Sequence, residues 1–247
     1  MLVVALALAG IGYAIARGTA WGLGKGLSDA LICTAFDSCP NALEDAYGGE
    51  VAKVVRRHAP NIVYERSSAQ LPIDFRRCRA LACSNGSDLA TVIDESEQGL
   101  PVTAFTHVVD RRPSGGSLYV QYWLYFPESF TAGIGRRLGP LAHRWPGYHR
   151  DDWEGVQVRV APGGAVSARA TAHGGYSSGW APWTGWYRVD GGSHAGHIVA
   201  GALGERTTAA PRLKLTPLER LDGTTERFAI SPPWQKDVYE DPESSSS

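Results

Sequence analysis

The chain has 247 residues, enough for one domain with a core plus a terminal appendage, and too few for two large domains. Its 24 basic and 25 acidic residues give a net charge of -1, which excludes broad electrostatic binding to nucleic acid or anionic lipid. The 29 Gly, 15 Pro, 8 Trp and 10 Tyr favour turns and aromatic strands over a helix bundle. The composition therefore predicts a mainly β domain.

The first 24 residues are almost free of charge. Leu2 to Ala16 carry none, and the uncharged run resumes from Gly18 to Gly24 after Arg17. Such a run is typical of a signal peptide that ends near Ala16, or of a membrane anchor, with a buried helix as the alternative. Residues 1–24 are therefore predicted to be a signal peptide or a membrane anchor, which makes the protein extracytoplasmic, either secreted or associated with a membrane.

The four cysteines form two short-range sets, Cys33 with Cys39 and Cys78 with Cys83. An even number is typical of disulfides outside the cytoplasm, and pairing within the sets is one of three connectivities. A zinc site is the rival interpretation, but these spacings differ from those of zinc knuckles. We expect disulfides.

One amphipathic helix is predicted between Asn41 and His58. Asn41 followed by Glu44 is a capping-box pattern, and apolar residues recur at helical spacing up to Pro60. The chain from there to Pro101 lacks a regular pattern. Residues 25–101 are thus predicted to be a cysteine-stapled helical and irregular leading segment.

From Val102 onward, short alternating runs are broken by Gly and Pro, which predicts an antiparallel β-sandwich over residues 102–235. Both faces of the run from Leu118 to Phe126 are apolar or aromatic, so that strand should be central. The chain from Lys236 is acidic and rich in serine, which predicts a disordered tail over residues 236–247. The predicted strands are Val102–Val109, Ser117–Phe126, Trp153–Val160, Ala165–His173, Trp186–Val189 and His197–Ala200.

Asp152 and Glu154 lie two residues apart at the start of a predicted strand, so both should face the apolar layer of Val156. Two carboxylates near an apolar interior need a shared proton, a basic partner or a metal ion. His149, on the preceding predicted loop, adds a third candidate ligand, and this mixed set of imidazole and carboxylates suits a divalent ion such as magnesium, manganese, calcium or zinc. The alternative is a solvated run of charges in which Asp152 pairs with Arg150 or another Arg, Glu154 lies at the rim and His149 caps a loop.

The run Tyr148-His149-Arg150-Asp151-Asp152-Trp153-Glu154 resembles the Gly-His-Arg-His-Asp-Trp-Glu heptapeptide of the necrosis- and ethylene-inducing-like proteins, which are secreted β-sandwich cytolysins. Tyr122-Trp123-Leu124-Tyr125-Phe126-Pro127-Glu128 and Ala172-His173-Gly174-Gly175-Tyr176 are similar to segments in the same order in that family. Gly192-Ser193-His194-Ala195 resembles a turn of a related vacuolar-sorting-associated family. The resemblance covers roughly residues 102–200.

The resemblance implies that His149, Asp152 and Glu154 hold a divalent cation. The family has a further Asp where this chain has Ser129, and the nearest carboxylate is Glu128, which we take as the fourth candidate ligand. Asp151 stands where the family has a second His. Asp151, His173 and Trp153 are candidates for contacting a bound ligand or for orienting the metal ligands.

Three other patterns have structural alternatives. Trp180, Trp183 and Trp186 form either an exposed aromatic rim for sugars or lipid headgroups, or packing for an outer strand. His194 and His197 should point to opposite faces of a strand and not chelate one ion together. Gly175-Tyr176-Ser177-Ser178-Gly179 fits a nucleophile elbow, but Pro182 argues against the helix that this motif requires.

The leading hypothesis is an exported cation-binding protein that recognises a glycan or a lipid headgroup through the ion. The first alternative is a metal-dependent hydrolase with His173 or Asp151 as the general base. The second is a structural envelope domain, without metal, whose loop is held by Arg150. Nucleic acid is not an expected partner.

Overall fold

The computed structural model describes residues 41–66, 70–87, 90–130, 147–218 and 227–247. It begins with two short helices, α1 (Ala42–Tyr47) and α2 (Gly49–Arg57). The sequence predicted one helix here, but Gly48 adopts a φ of 75° that divides it. Leu43, Ala52 and Val55 are buried, so the apolar face of this segment packs on the core as the periodicity indicated.

Eleven strands follow along the described chain. They are β1 (Asn61–Tyr64), β2 (Thr103–Asp110), β3 (Leu118–Ser129), β4 (His149–Val160), β5 (Val166–Ala172), β6 (Gly175–Tyr176), β7 (Ala181–Pro182), β8 (Trp186–Val189), β9 (Gly196–Ile198), β10 (Arg206–Thr208) and β11 (Lys214–Pro217). The mainly β prediction is confirmed. The small sheet has the order β10-β1-β8-β9, and the large sheet has the order β11-β2-β3-β4-β5-β6 with β7 also on β5.

The strand pairing departs from the prediction in two places. Both β1 with β8 and β11 with β2 are parallel, so the sheets are not wholly antiparallel. All residues of β3 are buried, and β3 lies between β2 and β4, which confirms its predicted central position. The strand β4 begins at His149, where a loop was predicted, because residues 149–152 continue the pairing with the end of β3.

The leading segment is part of the β domain. The strand β1, within a stretch predicted to be irregular, is inserted between β10 and β8, and residues Leu43 to Ser247 form one compact unit. The side chain of Asn61 fixes this arrangement, since it donates to the carbonyl of Gly185 at 2.9 Å and accepts from the amide of Ala210 at 3.0 Å. Because β1 pairs with strands that are distant in the sequence, the predicted boundary between the leading segment and the β domain at residue 101 is not present.

Apolar side chains cover both faces of the large sheet. The inner core fills the space towards the small sheet and α2, and the outer core covers the opposite face. The inner core includes Val55, Ile62, Tyr64, Val120, Tyr122, Leu124, Phe126, Val156, Val158, Tyr187 and Val189. The outer core includes Ile73, Phe75, Phe105, Trp123, Tyr125, Trp153, Leu218, Val238 and Tyr239.

The C-terminal segment, predicted to be disordered, is ordered in the structure. It contains a short helix, α3 (Asp237–Glu240), whose Val238 and Tyr239 are buried in the outer core. Composition indicated disorder because acidic residues and serines dominate, but the two apolar residues anchor α3 and polar contacts hold the residues that follow.

Cys78 and Cys83 form a disulfide, as one of the predicted pairings requires. The predicted N-terminal segment 1–24, Cys33 and Cys39 lie outside the described residues. Within residues 41–66, 70–87, 90–130, 147–218 and 227–247, no helix combines the length and apolar character needed to cross a membrane.

Candidate functional site

A cavity of about 770 Å³ opens beside the beginning of β4. This volume lies in the range of small-molecule binding sites. Charged and polar side chains from β4, from the turn after β5 and from the C-terminal segment converge on it. The lining residues include Ser129, His149, Asp152, Trp153, Glu154, His173, Ser193, Lys236, Asp237, Ser246 and Ser247.

Asp152 and Glu154 are both buried, and each is only 4% exposed. They pair with Phe126 and Leu124 of β3 and precede Val156 on the same face, so strand parity correctly placed both carboxylates at the edge of the inner core. Burial, together with the negative charge of Asp152, raises the pKa of Glu154 to about 8. Near neutral pH this carboxyl therefore retains a proton unless a positive charge enters the cavity.

Glu154 is held by two donors from β5 and the residue that follows it. The hydroxyl of Thr171 donates to Oε2, and the amide of His173 donates to Oε1 at 3.1 Å. Thr171 in turn accepts a hydrogen bond from the amide of Gly155 at 2.7 Å. These bonds fix the orientation of the carboxyl group towards the cavity.

Asp152 lies between two histidines. Nδ1 of His194 is 2.8 Å from Oδ2, and Nε2 of His149 is 3.9 Å from Oδ1. His194 is fully buried, and its ring stacks on Phe126 at a centroid distance of 3.9 Å. Because Asp152 accepts this hydrogen bond when ionised, Nδ1 of His194 carries the hydrogen. This contact was not predicted, because His194 lies 42 residues from Asp152 in the sequence and was considered only with His197.

Asp151 belongs to the opposite face of β4. Its carboxylate accepts hydrogen bonds from Arg79 at 2.7 and 3.1 Å, from the hydroxyl of Tyr125 at 2.8 Å and from the amide of Ala229 at 2.9 Å. Burial alone would raise its pKa, but these donors outweigh burial and lower it. Asp151 is not among the residues that line the cavity, and its cationic partner is Arg79.

The remaining candidate ligands have different environments. Ser129, which lies at the position of the family's Asp, lines the cavity opposite His149 on β4. Glu128 is buried opposite Arg150, interacts with Tyr148, and is not among the lining residues. His173 is exposed at the rim, and Trp153 lines the cavity while its ring packs in the outer core.

Lys236 adds a positive charge to the wall of the cavity. Its Nζ lies 5.3 Å from the centroid of the Trp123 ring. Burial lowers the pKa of Lys236, against the opposing effect of the negative charges on Glu154 and Asp152. The sequence analysis assigned Lys236 to a disordered tail and therefore did not include it in the site.

The backbone around the cavity is strained. Within the described residues, four residues other than glycine have positive φ, and three of them are Asp151 at 59°, His173 at 52° and His194 at 56°. Such conformations cost free energy and concentrate at functional sites. All three lie beside the beginning of β4, and His173 and His194 each contact one of the two cavity carboxylates.

The other sequence patterns are structural. Trp180, Trp183 and Trp186 are all partly buried, and Trp183 packs against the inner core, which favours the packing interpretation. Ser177 follows β6 and is bonded through its amide to the carbonyl of Ala170 at 3.0 Å. The short strand β7 comes next instead of a helix, so the nucleophile-elbow geometry is not formed.

Asp152 and Glu154 are the two carboxylates that line the cavity close to its histidines. Among the described residues, no group of three or more His, Cys, Asp or Glu side chains is arranged to hold a metal ion. Magnesium and manganese are commonly held by one or two carboxylates, with water or a bound ligand at the other positions. Asp152 and Glu154, with His149 beside them, fit that mode of binding.

No family model matches the chain, and no curated protein matches it. Among solved structures, the chain is similar to NLPPya in complex with mannosamine, with a TM-score of 0.47 and 14% identity over 78% of this chain and 88% of that chain. At this level, the likeness concerns the path of the backbone only.

Proposed function

We propose that the cavity binds one divalent cation between Asp152 and Glu154, and that the ion presents open coordination positions to a polar ligand. The observation that carries this proposal is the pair of buried carboxylates on one cavity wall. Two like charges at the edge of an apolar core are costly, and a divalent ion neutralises both at once.

The surroundings support an ion of this kind. Thr171 and His173 fix Glu154, and His194 fixes Asp152, so the ligand oxygens are held in place before the ion enters. His149 and Ser129 line the cavity on the same side and can contact the ion directly or through water. Calcium, magnesium and manganese are the ions that this donor set favours.

The cavity is larger than a hydrated ion, and its volume of about 770 Å³ leaves room for a ligand. We propose a glycan or a lipid headgroup, because hydroxyl and phosphate oxygens both fill open positions on hard cations. His173 at the rim and Lys236 in the wall are placed to contact such oxygens.

The proposal includes a location outside the cytoplasm. A disulfide between Cys78 and Cys83 supports an oxidising compartment. Whether the N-terminal segment acts as a cleaved signal or as an anchor is tested by sequencing the N-terminus of the protein recovered from cells.

The ion is tested by thermal unfolding of metal-stripped protein with added calcium, magnesium or manganese. Asp152→Asn and Glu154→Gln should lose the rise in melting temperature that the wild type shows. Asp110→Asn is the matched control, since Asp110 is a partly exposed carboxylate paired with Arg112 far from the cavity. An unchanged melting temperature of the wild type with all three ions contradicts the proposal.

The ligand is tested with the ion-loaded protein on an array of glycans and on vesicles with different headgroups. We expect binding that is lost on chelation and in Asp152→Asn. Binding that survives both changes contradicts recognition through the ion.

A further inference from the structure

The C-terminal segment crosses the outer face of the large sheet and ends at the cavity. It is attached in two different ways along its length. The first part, α3, is anchored by apolar burial and backbone contacts. The second part, residues Asp241–Ser247, is called the strap. Its Pro242 is buried, and its other contacts are made by polar and charged groups.

The anchor is firm. Val238 is fully buried, and Tyr239 stacks on the ring of His107 at a centroid distance of 3.6 Å. The side chain of Gln121 donates to the carbonyl of Val238 at 2.6 Å. These contacts belong to the outer core and do not depend on net charge.

The strap is held by ion pairs near the surface. Asp241 pairs with Arg111 at 3.0 Å. Glu243 accepts hydrogen bonds from the Tyr119 hydroxyl at 2.7 Å, from Nε1 of Trp180 at 3.0 Å and from Arg159 at 3.2 Å. The side chains in both ion pairs are between 31% and 57% exposed, so dissolved salt screens them.

Arg169 holds the backbone of the strap. Its guanidinium lies over the rings of Tyr176 at 3.7 Å and Trp180 at 4.7 Å, and it donates to the carbonyls of Pro242 and Ser244. If the strap departs, water reaches the donors of Arg169, and the two aromatic rings still support its guanidinium. Opening therefore leaves no buried group of Arg169 unsatisfied.

The tip of the strap reaches the proposed ion site. The amide of Ser247 donates to the carbonyl of Gly174 at 3.2 Å, and the hydroxyl of Tyr176 donates to the carbonyl of Ser246 at 3.3 Å. Ser246 and Ser247 line the cavity together with Glu154 and His173. The tip is thus one wall of the cavity.

We propose that the strap is a salt-sensitive closure of this cavity, which detaches from Asp241 onward while α3 stays in place. The boundary between the fixed part and the detaching part follows Tyr239, the last residue that packs in the outer core. Beyond it begin the ion pairs of Asp241 and Glu243, which salt screens. The identity of the ion or ligand that enters when the strap opens rests on the proposed function. The detachment of the strap itself does not.

Detachment is tested by hydrogen exchange and mass spectrometry on the full chain. Glu243→Gln removes the charge of the residue with the most side-chain partners in the strap, and Glu240→Gln, an exposed carboxylate on α3, is the matched control. In Glu243→Gln, and in the wild type at ~1 M salt, we expect several-fold faster exchange of the Ser247 amide. Exchange at the buried residues 238 and 239 should be unchanged. Uniform exchange along residues 237–247, or no change in either condition, overturns the proposal.

Closure is tested without any metal, by coupling glycine ethyl ester to accessible carboxyl groups with a carbodiimide. We expect several-fold more labelling of Glu154 in Glu243→Gln than in Glu240→Gln. Glu128, which is buried but does not line the cavity, is the internal control and should not change. A detached strap with unchanged labelling of Glu154 overturns the closure.

The association rate of manganese then separates the two proposals. A faster rate in Glu243→Gln supports closure over the ion site. If the strap is detached in Glu243→Gln but manganese associates at the wild-type rate, the proposed closure over the ion site is overturned. If no variant binds manganese, the proposed function fails, while exchange and labelling still decide whether the strap closes the cavity.

Discussion

Nδ1 of His194 lies 2.8 Å from Oδ2 of Asp152, while the ring of His194 stacks on Phe126. This contact joins the turn before β9 to the first residues of β4, which are far apart in sequence. It fixes one of the two carboxylates of the proposed ion site. We therefore propose that His194 is a positioning residue, which would act on the proposed ion through Asp152.

His194→Asn and His194→Ala separate positioning from simple packing. Asn keeps an amide donor close to the position of Nδ1 and tolerates the φ of 56°, whereas Ala provides neither. We expect His194→Ala to lower manganese affinity by about 10- to 100-fold and His194→Asn to lower it much less. Titration calorimetry measures both. Equal losses would mean that the ring acts only by packing on Phe126.

The raised pKa of Glu154 predicts how the free energy of unfolding depends on pH. Because its pKa is raised to about 8 from 4.5, the folded state holds a proton that the unfolded state releases between these values. The stabilisation that results from this raised pKa is fully present below pH 4.5, and it is lost as the pH rises through about 8. In metal-free protein, urea unfolding from pH 5 to 8 should show this decline in the wild type and a flatter profile in Glu154→Gln. Identical slopes contradict the raised pKa.

The same pKa predicts how ion binding depends on pH. A cation requires the ionised carboxylate, so manganese binding near neutral pH should release a proton from Glu154. Calorimetry in buffers of different ionisation enthalpy measures the number of protons released. Glu154→Asp, which keeps a carboxyl group, is the control for loss of charge, and binding without proton release contradicts the assignment.

Lys236 should compete with the ion. Its positive charge on the cavity wall already offsets part of the charge on Asp152 and Glu154, and a divalent cation has to overcome that repulsion. Lys236→Met removes the charge and keeps the apolar stem on Trp123, so we expect roughly tenfold tighter manganese binding. Weaker manganese binding in Lys236→Met would contradict this competition and would mean that the amine stabilises the arrangement of the ion ligands.

Asp151 should behave differently from its neighbour. Asp151→Asn keeps a residue type that tolerates a φ of 59° but removes the charge that Arg79 requires. We expect a loss of about 1–3 kcal/mol in the free energy of unfolding, measured with urea, and unchanged manganese binding. Loss of manganese binding without loss of stability would instead assign Asp151 to the ion site.

Much of the large sheet could be predicted because its strands are long and their patterns are local. Strand parity alone placed Asp152 and Glu154 at the edge of the inner core, and the apolar character of both faces identified β3 as central. In the small sheet, β8 was predicted with its exact bounds and β9 in part, whereas β1 and β10 were not predicted. Four residues of β1 carry little periodic signal, and their parallel pairing with β8 depends on distant chain.

Only part of the candidate site could be predicted from the sequence, because its other residues come from distant parts of the chain. His194 and Lys236 come from a turn and from the C-terminal segment, and no spacing in the sequence connects either with β4. A signal did exist for the tail, since Val238 and Tyr239 are the apolar pair in an acidic segment. Composition averages hide such a pair, and these two buried residues anchor the first part of the segment.

The most direct test of the central claim is a crystal structure of the protein soaked with manganese, read for anomalous scattering. We predict one peak between the carboxylates of Asp152 and Glu154, with His149 on the side of Asp152, and no peak in crystals of Asp152→Asn. Crystals soaked at saturating manganese that lack this peak, with Lys236 still beside both carboxyl groups, would contradict the cation site.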